Sequence, residues 1–158
     1  MVTSDTTGPI NIVSGSGAGV TALAADASGN ITIPTGSMLL TNANNAIGYG
    51  AGSGGTVTQT TSKSTAVTLN KPTGQITMSN AALAANTAVS FTFNNSLLAA
   101  TDLLVLTMYL AGGNPTSYNL WVGDSAAGSA TIVLKNISGG SLSDAVAFKF
   151  AIIKGVTA

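Results

Sequence analysis

Gly50, Gly52 and Gly55 stand in the spacing G-x-G-x-x-G within the stretch GYGAGSGGTVTQTTSKS at 48–64. After a strand and at the start of a helix, that spacing cradles a dinucleotide pyrophosphate on the helix N-terminus. The residues that follow here, TVTQTTSKSTAVTLN, are rich in Thr and Val and favour strand. No acidic residue stands about 20 positions on, where a ribose hydroxyl needs one. A P-loop fails as well, because Ser62 precedes Lys63 and Ser64 where that motif requires glycine. The glycines are read as a flexible entry into a sheet, joining two parts of the chain.

Other chemistry has few ingredients. The chain contains no His, Cys or Glu, the side chains that most often move protons or attack carbonyl groups. A Ser-Lys dyad of Lys63 with Ser62 or Ser64 is the one nucleophilic arrangement the spacing offers, and adjacency in a Ser-rich chain explains it equally well. Asp102, Asp124 and Asp144 fall at strand boundaries, where turn formation accounts for them, so neither a paired-carboxylate glycosidase site nor a calcium loop is assigned. The reading is a non-enzyme with no catalytic residue, cofactor or metal ligand. Among the aromatic residues, Tyr49 in the glycine stretch is the best exposed candidate for stacking on a sugar ring. Trp121 is a second candidate, although its place in a strand suits core or interface better. The N-x-[ST] triplets at Asn30, Asn94 and Asn136 are read as incidental.

The elements that must position these residues are strands. From 56 onward, eight runs alternate with turn signals: 56–59, 66–69, 74–78, 88–93, 103–110, 118–122, 131–136 and 145–154. Val89, Phe91 and Phe93 oppose Ser90 and Thr92, and Val146, Phe148, Phe150 and Ile152 share one face. The one helical candidate is SNAALAAN at 79–86, with Ser79 as its cap. This spacing predicts an all-β, jelly-roll-like β-sandwich over 48–158, with an immunoglobulin-like sandwich as the neighbouring choice. Residues 1–47 read as an extended, glycine-rich N-terminal arm with short strands at 10–13, 20–23, 30–33 and 37–41.

The run LLVLTMYL at 103–110 is apolar on both faces: Leu104, Leu106, Met108 and Leu110 on one, Leu103, Val105 and Tyr109 on the other. The last run likewise adds Ile153 to its second face. Such strands need a further cover, either an adjoining subunit or the arm of the same chain. Candidate subunit or partner contacts are therefore Ile10, Ile12, Ile31, Ile33 and Leu39 in the arm, with Leu103, Val105, Tyr109 and Ile153 in the β domain.

Composition points the same way. Charged residues make up only 6% of the 158, five Lys against five Asp, for zero net charge, where an ordinary soluble domain carries about 25%. With no basic cluster, neither nucleic acid nor an anionic membrane is an expected partner. Weak self-repulsion instead suits a chain that lives in an assembly. No apolar run approaches the roughly 20 residues of a membrane span, and the N-terminal residues have neither a basic leader nor an apolar signal core.

The run GYGAGSGGTVTQTTSKSTAVTLNKPTGQITMSNAALAANTAVSFTF, followed by AATDLLVL and ISGGSLSDAVAFKFAIIK, resembles a domain common in small virion proteins of tailed bacteriophages. The similarity spans 48–154, and the order GGTVTQ, TSKST, VTLNK, GQITM is its most specific part. Members serve as head decoration or cement proteins and as tail-fibre components. The resemblance implies a phage structural protein with a β-rich domain that assembles as a homotrimer. Tail fibres are usually much longer, so a chain of this length suits a decoration protein. Such a protein is assembled in the host cytoplasm, seated on the capsid surface and bound to the major capsid protein. The alternative is a short tail or head fibre whose tip binds a host-surface glycan through Tyr49 or Trp121.

Overall fold

The computed structural model describes Ile10–Asn11, Ala24–Ala25, Ala27, Ile31–Thr32 and residues 46–110 and 115–156. The chain divides into two compact units, Met1–Ile47 and Gly48–Ala158. In the first, β1 (Ile10–Asn11), β2 (Ala24–Ala25) and β3 (Ile31–Thr32) form an antiparallel sheet in chain order. β1 and β3 fall within the runs expected at 10–13 and 30–33; those expected at 20–23 and 37–41 lie outside the described residues.

The second unit is all-β. Its strands are β4 (Thr56–Thr58), β5 (Val67–Thr68), β6 (Thr73–Thr77), β7 (Ala88–Asn94), β8 (Leu103–Leu110), β9 (Tyr118–Ala126), β10 (Ser129–Asn136) and β11 (Val146–Ile153). All eight runs expected from alternation are strands. They form two mixed four-stranded sheets, one ordered β4-β6-β11-β8 and the other β5-β7-β10-β9. Successive strands switch between the sheets at every connection except the β9–β10 hairpin, so leaving a sheet and returning brings the chain back in the same direction. Hence β4 pairs with β6, and β5 with β7, in parallel. Residues 59–72 and 69–87 supply the long crossovers that parallel neighbours need. A jelly roll of Greek keys pairs its strands antiparallel throughout, and these two pairs depart from that.

Period-2 alternation fills the core from both sheets. Phe91, Phe93, Ile132 and Leu134 of the second sheet pack with Ile76, Val146, Phe148, Phe150 and Ile152 of the first. Phe93 and Phe150 meet with ring centroids 4.8 Å apart and planes tilted by 60°. Phe91 and Phe148 lie 6.3 Å apart at 44°. Tilted pairs of this kind add about 0.5–1.5 kcal/mol each beyond area burial.

The helix expected at 79–86 does not form. Leu83 instead makes a reciprocal antiparallel bridge with Leu142, with N···O distances of 2.8 and 3.0 Å. The fully buried Asn136 donates through Nδ2 to the carbonyls of Leu83, Ala84 and Gly140. Backbone carbonyls held from outside are not free to close a helical turn. Ser79 Oγ accepts from the Ala81 amide at 3.2 Å, a local turn rather than a helix cap. The helical content among the described residues is one 3₁₀ turn, Pro115–Ser117.

Candidate functional site

The glycine stretch ends in a strand. Ser53 donates its amide to the Gly50 carbonyl at 3.2 Å, Gly52 takes φ +86°, and β4 begins at Thr56. No helix N-terminus stands there to receive a phosphate.

The Ser-Lys dyad is not assembled. The buried Lys63 side chain donates through Nζ to the backbone carbonyls of Ser79 and Asp144, at 2.5 and 2.6 Å. Ser62 Oγ instead exchanges hydrogen bonds with Ser64 Oγ and Thr65 Oγ1, each at 3.0 Å. Around Lys63, Gln59 donates to the carbonyls of Lys63 and Thr65 and accepts from the Ser79 amide. Tyr118 donates to Asp144 Oδ2 at 2.9 Å. Burial lowers the Lys63 pKa, and the Asp144 charge opposes that shift. Burial also pushes the Tyr118 phenol up to about 12, helped by its hydrogen bond to Asp144. These groups tie the 59–65 crossover to β9 and the entry of β11, and each is spent on that task.

Asp102 is equally committed. Its carboxylate accepts from Lys154 Nζ at 2.6 Å, the Ala99 amide at 2.8 Å and the Gly155 amide at 3.2 Å. The Lys154 hydrogen bond, followed by that from Ala99, lowers its pKa. Among the described residues no three His, Cys, Asp or Glu side chains gather to hold a metal ion. No helix there is long and apolar enough to cross a membrane. The Asn136 triplet is closed to modification in the fold, since that side chain is wholly buried.

What remains open are the two outward sheet faces. On the first sheet, β8 turns Leu104, Leu106 and Met108 toward the core and Leu103, Val105 and Tyr109 outward. Register places Leu103 opposite Ile153, Val105 opposite Ala151 and Tyr109 opposite Ala147. Leu103, Val105, Tyr109 and Ile153 are 58, 44, 52 and 54% exposed, and Lys149 Nζ lies 5.4 Å from the centre of the Tyr109 ring. Four of the contact residues expected from sequence thus share one outer face, which is mainly apolar and carries Thr107 and the exposed Lys149 between the rows of Val105 and Tyr109. It grades into hydroxyl and amide side chains at Thr73, Gln75 and Thr77 on β6. Of the contacts expected in the first unit, Ile10 pairs with Ala25 and Ile31 is exposed. Ile12, Ile33 and Leu39 lie outside the described residues.

The second sheet presents a different outer face. Register sets Asn119, Trp121 and Asp124 of β9 beside Lys135, Val133 and Thr131 of β10. These in turn stand beside Ala88, Ser90 and Thr92 of β7. Trp121 is 42% exposed, and the pairing shifts between Thr131 and Ile132, leaving Gly123 as the extra residue of a β-bulge. A recess of about 130 Å³ is lined by Thr92, Asp124, Ala126, Ser129, Ala130 and Thr131. Sequence reasoning found Trp121 but not its neighbours; the Gly-Asp step after it was the available signal for the bulge. Tyr49, the other expected glycan contact, is not brought to Trp121. Its ring is exposed, but its hydroxyl donates to the Ile152 carbonyl of β11, in the other sheet.

Comparison with protein-family models, with curated proteins and with solved structures returned no match.

Proposed function

We propose that this chain is a non-enzymatic structural protein of a tailed-bacteriophage virion. In this reading it is a capsid decoration protein that assembles as a homotrimer and stabilises the head shell. Its second unit acts as a β-sandwich, jelly-roll-like in its two four-stranded sheets and distinct in its parallel edge pairs. The observation that carries the reading is the exposed apolar face of Leu103, Val105, Tyr109 and Ile153. Single exposed apolar residues are ordinary, whereas Leu103, Val105, Ala151 and Ile153 adjoin on one sheet face, with Tyr109 beyond Thr107 and Lys149, and such a group marks an interaction surface. Apolar burial at roughly 25 cal/mol per Å² can hold subunits together without ion pairs, which suits a chain with only five Lys and five Asp. β8 adds backbone: it is an edge strand eight residues long with no charge and no proline, and such edges are normally covered or blunted. The setting is taken from the resemblance of the sequence over 48–154 to small phage virion proteins.

The test is to image, at a resolution that traces the chain, the virions in which it is made. Density in threefold clusters over the capsid lattice is the expected result. Density confined to the tail or to one vertex overturns the decoration role and moves the protein to the fibre class.

A further inference from the structure

We propose that the outer face of the β5-β7-β10-β9 sheet binds a neutral oligosaccharide, with Trp121 as the stacking platform and the bulge at Gly123 and Asp124 supplying the polar contacts beside it. The site lies on the sheet opposite the packing face and stands whether or not the decoration reading does.

An exposed tryptophan alone carries little. What distinguishes this one is its setting. The groups around Trp121 on this face are Val133, Ser90, Asn119, Lys135, Thr131, Thr92 and Asp124, so one flat aromatic surface sits among hydroxyl, amide and carboxylate groups. Strands lie about 4.8 Å apart and same-face residues about 7 Å apart along a strand. These are the dimensions of a pyranose ring. A sugar laid on Trp121 therefore carries its ring hydroxyls over the neighbouring strand and the rows before and after.

The chemistry of the two surfaces is complementary. The C–H face of a pyranose presents weakly positive hydrogens to the negative face of the indole. Its equatorial hydroxyls project sideways to polar groups.

The bulge makes this arrangement. Regular alternation after Trp121 would send residue 124 inward. The extra residue Gly123 returns Asp124 to the outer face, opposite Thr131, and a Cβ at 123 would stand 3.1 Å from Val133 Cγ2, so the backbone presses close there. Bulges beside functional sites re-aim side chains in this way. Asp124 Oδ1 accepts from the Ser125 amide at 2.8 Å, which fixes the carboxylate, while Oδ2 has no partner among the described residues. A fixed carboxylate with a free oxygen is an acceptor for sugar hydroxyls. The recess beside it, about 130 Å³, is below the roughly 300 Å³ at which pockets begin to enclose drug-sized ligands. It receives the edge of one sugar, with the rest of the chain lying across the face.

Charge selects the class. Asp124 and Lys135 stand at opposite ends of the face and leave it without net charge. A single lysine cannot neutralise a run of phosphates, which argues against a nucleic acid stacking on the same ring.

Because Trp121 is the only tryptophan in the chain, indole fluorescence reports this site alone. The experiment titrates the full chain with maltotriose, cellotriose and chitotriose, and records saturation-transfer NMR spectra of each mixture. The expected result is a saturable fluorescence change with at least one trisaccharide, with Kd on the order of 1 mM. Saturation transfer to the sugar should vanish in Trp121→Ala and weaken about tenfold in Asp124→Asn, by loss of a charge-assisted hydrogen bond. It should be unchanged in Tyr49→Ala, and all three variants should keep cooperative thermal unfolding. Absence of a saturable response to all three sugars overturns the proposal, as does binding that survives Trp121→Ala.

Discussion

At position 63 an ammonium group sits 3% exposed with two backbone carbonyls as its hydrogen-bond partners. Desolvation penalises such a charge, and the structure recovers part of that cost through Asp144, whose carboxylate also accepts from Tyr118. The result is a pH signature. The Tyr118 phenol ionises near 12 in the fold and near 10 in the unfolded chain, so the folded state holds that proton more tightly. Its contribution is fully present below about pH 10 and is lost as pH rises through about 12. Lys63 acts in the opposite sense. Its folded value lies below the ordinary lysine value, so its burial cost is relieved as pH rises from that folded value toward about 10.4. The two are separated by Tyr118→Phe, which keeps the ring and removes the proton. Urea unfolding from pH 9 to 12 should show the difference in stability between the parent chain and Tyr118→Phe shrinking across this window. A difference that stays constant contradicts the assignment. Little of this was legible in sequence: Lys63 drew notice as half of a dyad, and only the crossover between sheets brings Ser79 and Asp144 to it.

At the scale of elements, alternation located every strand of the second unit but not its neighbours. A period of two says which residues face inward, and β4 and β5 carry that signal without stating that they lie parallel to β6 and β7. The Ala-rich segment at 79–86 shows the opposite failure, in which favourable local propensity loses to pairing with Leu142 and to the Asn136 side chain. Close approach of the parallel pair was likewise hidden in two ordinary-looking glycines. A Cβ at Gly74 would stand 2.5 Å from the Gly55 carbonyl oxygen, 2.9 Å from Leu69 Cδ2 and 3.0 Å from Phe150 Cε1. Gly55 itself accepts from the Gln75 amide at 2.9 Å, so the added methyl has backbone against it, not a movable side-chain tip. Gly74→Ala should cost about 1–3 kcal/mol, in the range of overpacked cores. It should also speed amide exchange at Gln75 and Gln59, which hold β4 to β6. Gly50→Ala, with nothing within 4 Å of the added carbon, should stay within about 0.5 kcal/mol of the parent. Equal effects from the two substitutions would mean that β4 is not seated as described.

For the whole molecule the question is how the subunits of the proposed trimer would cohere with so little charge. Surface ion pairs contribute about 0–1 kcal/mol each and are screened beyond a Debye length of about 8 Å at physiological salt. Ten charged side chains, of which Lys63, Asp102 and Lys154 already have partners within the chain, leave little for clamps between copies. The outer face of β8 and β11 offers mainly apolar contact instead, with Lys149 as the one charge on those two strands, and burial of that kind does not weaken as salt is added. Sedimentation at micromolar concentration should therefore find the proposed trimer unchanged from ~0.05 M to ~1 M NaCl. Val105→Lys should release monomers that still unfold cooperatively, at a temperature lowered only by the loss of association, because Val105 lies on the outer face and is 44% exposed, so the core does not depend on it. The pairing of these outcomes is the discriminating point. A trimer that falls apart in high salt has charge at its interface, and one that survives a lysine at position 105 does not use this face; either result removes the apolar face as the seat of assembly.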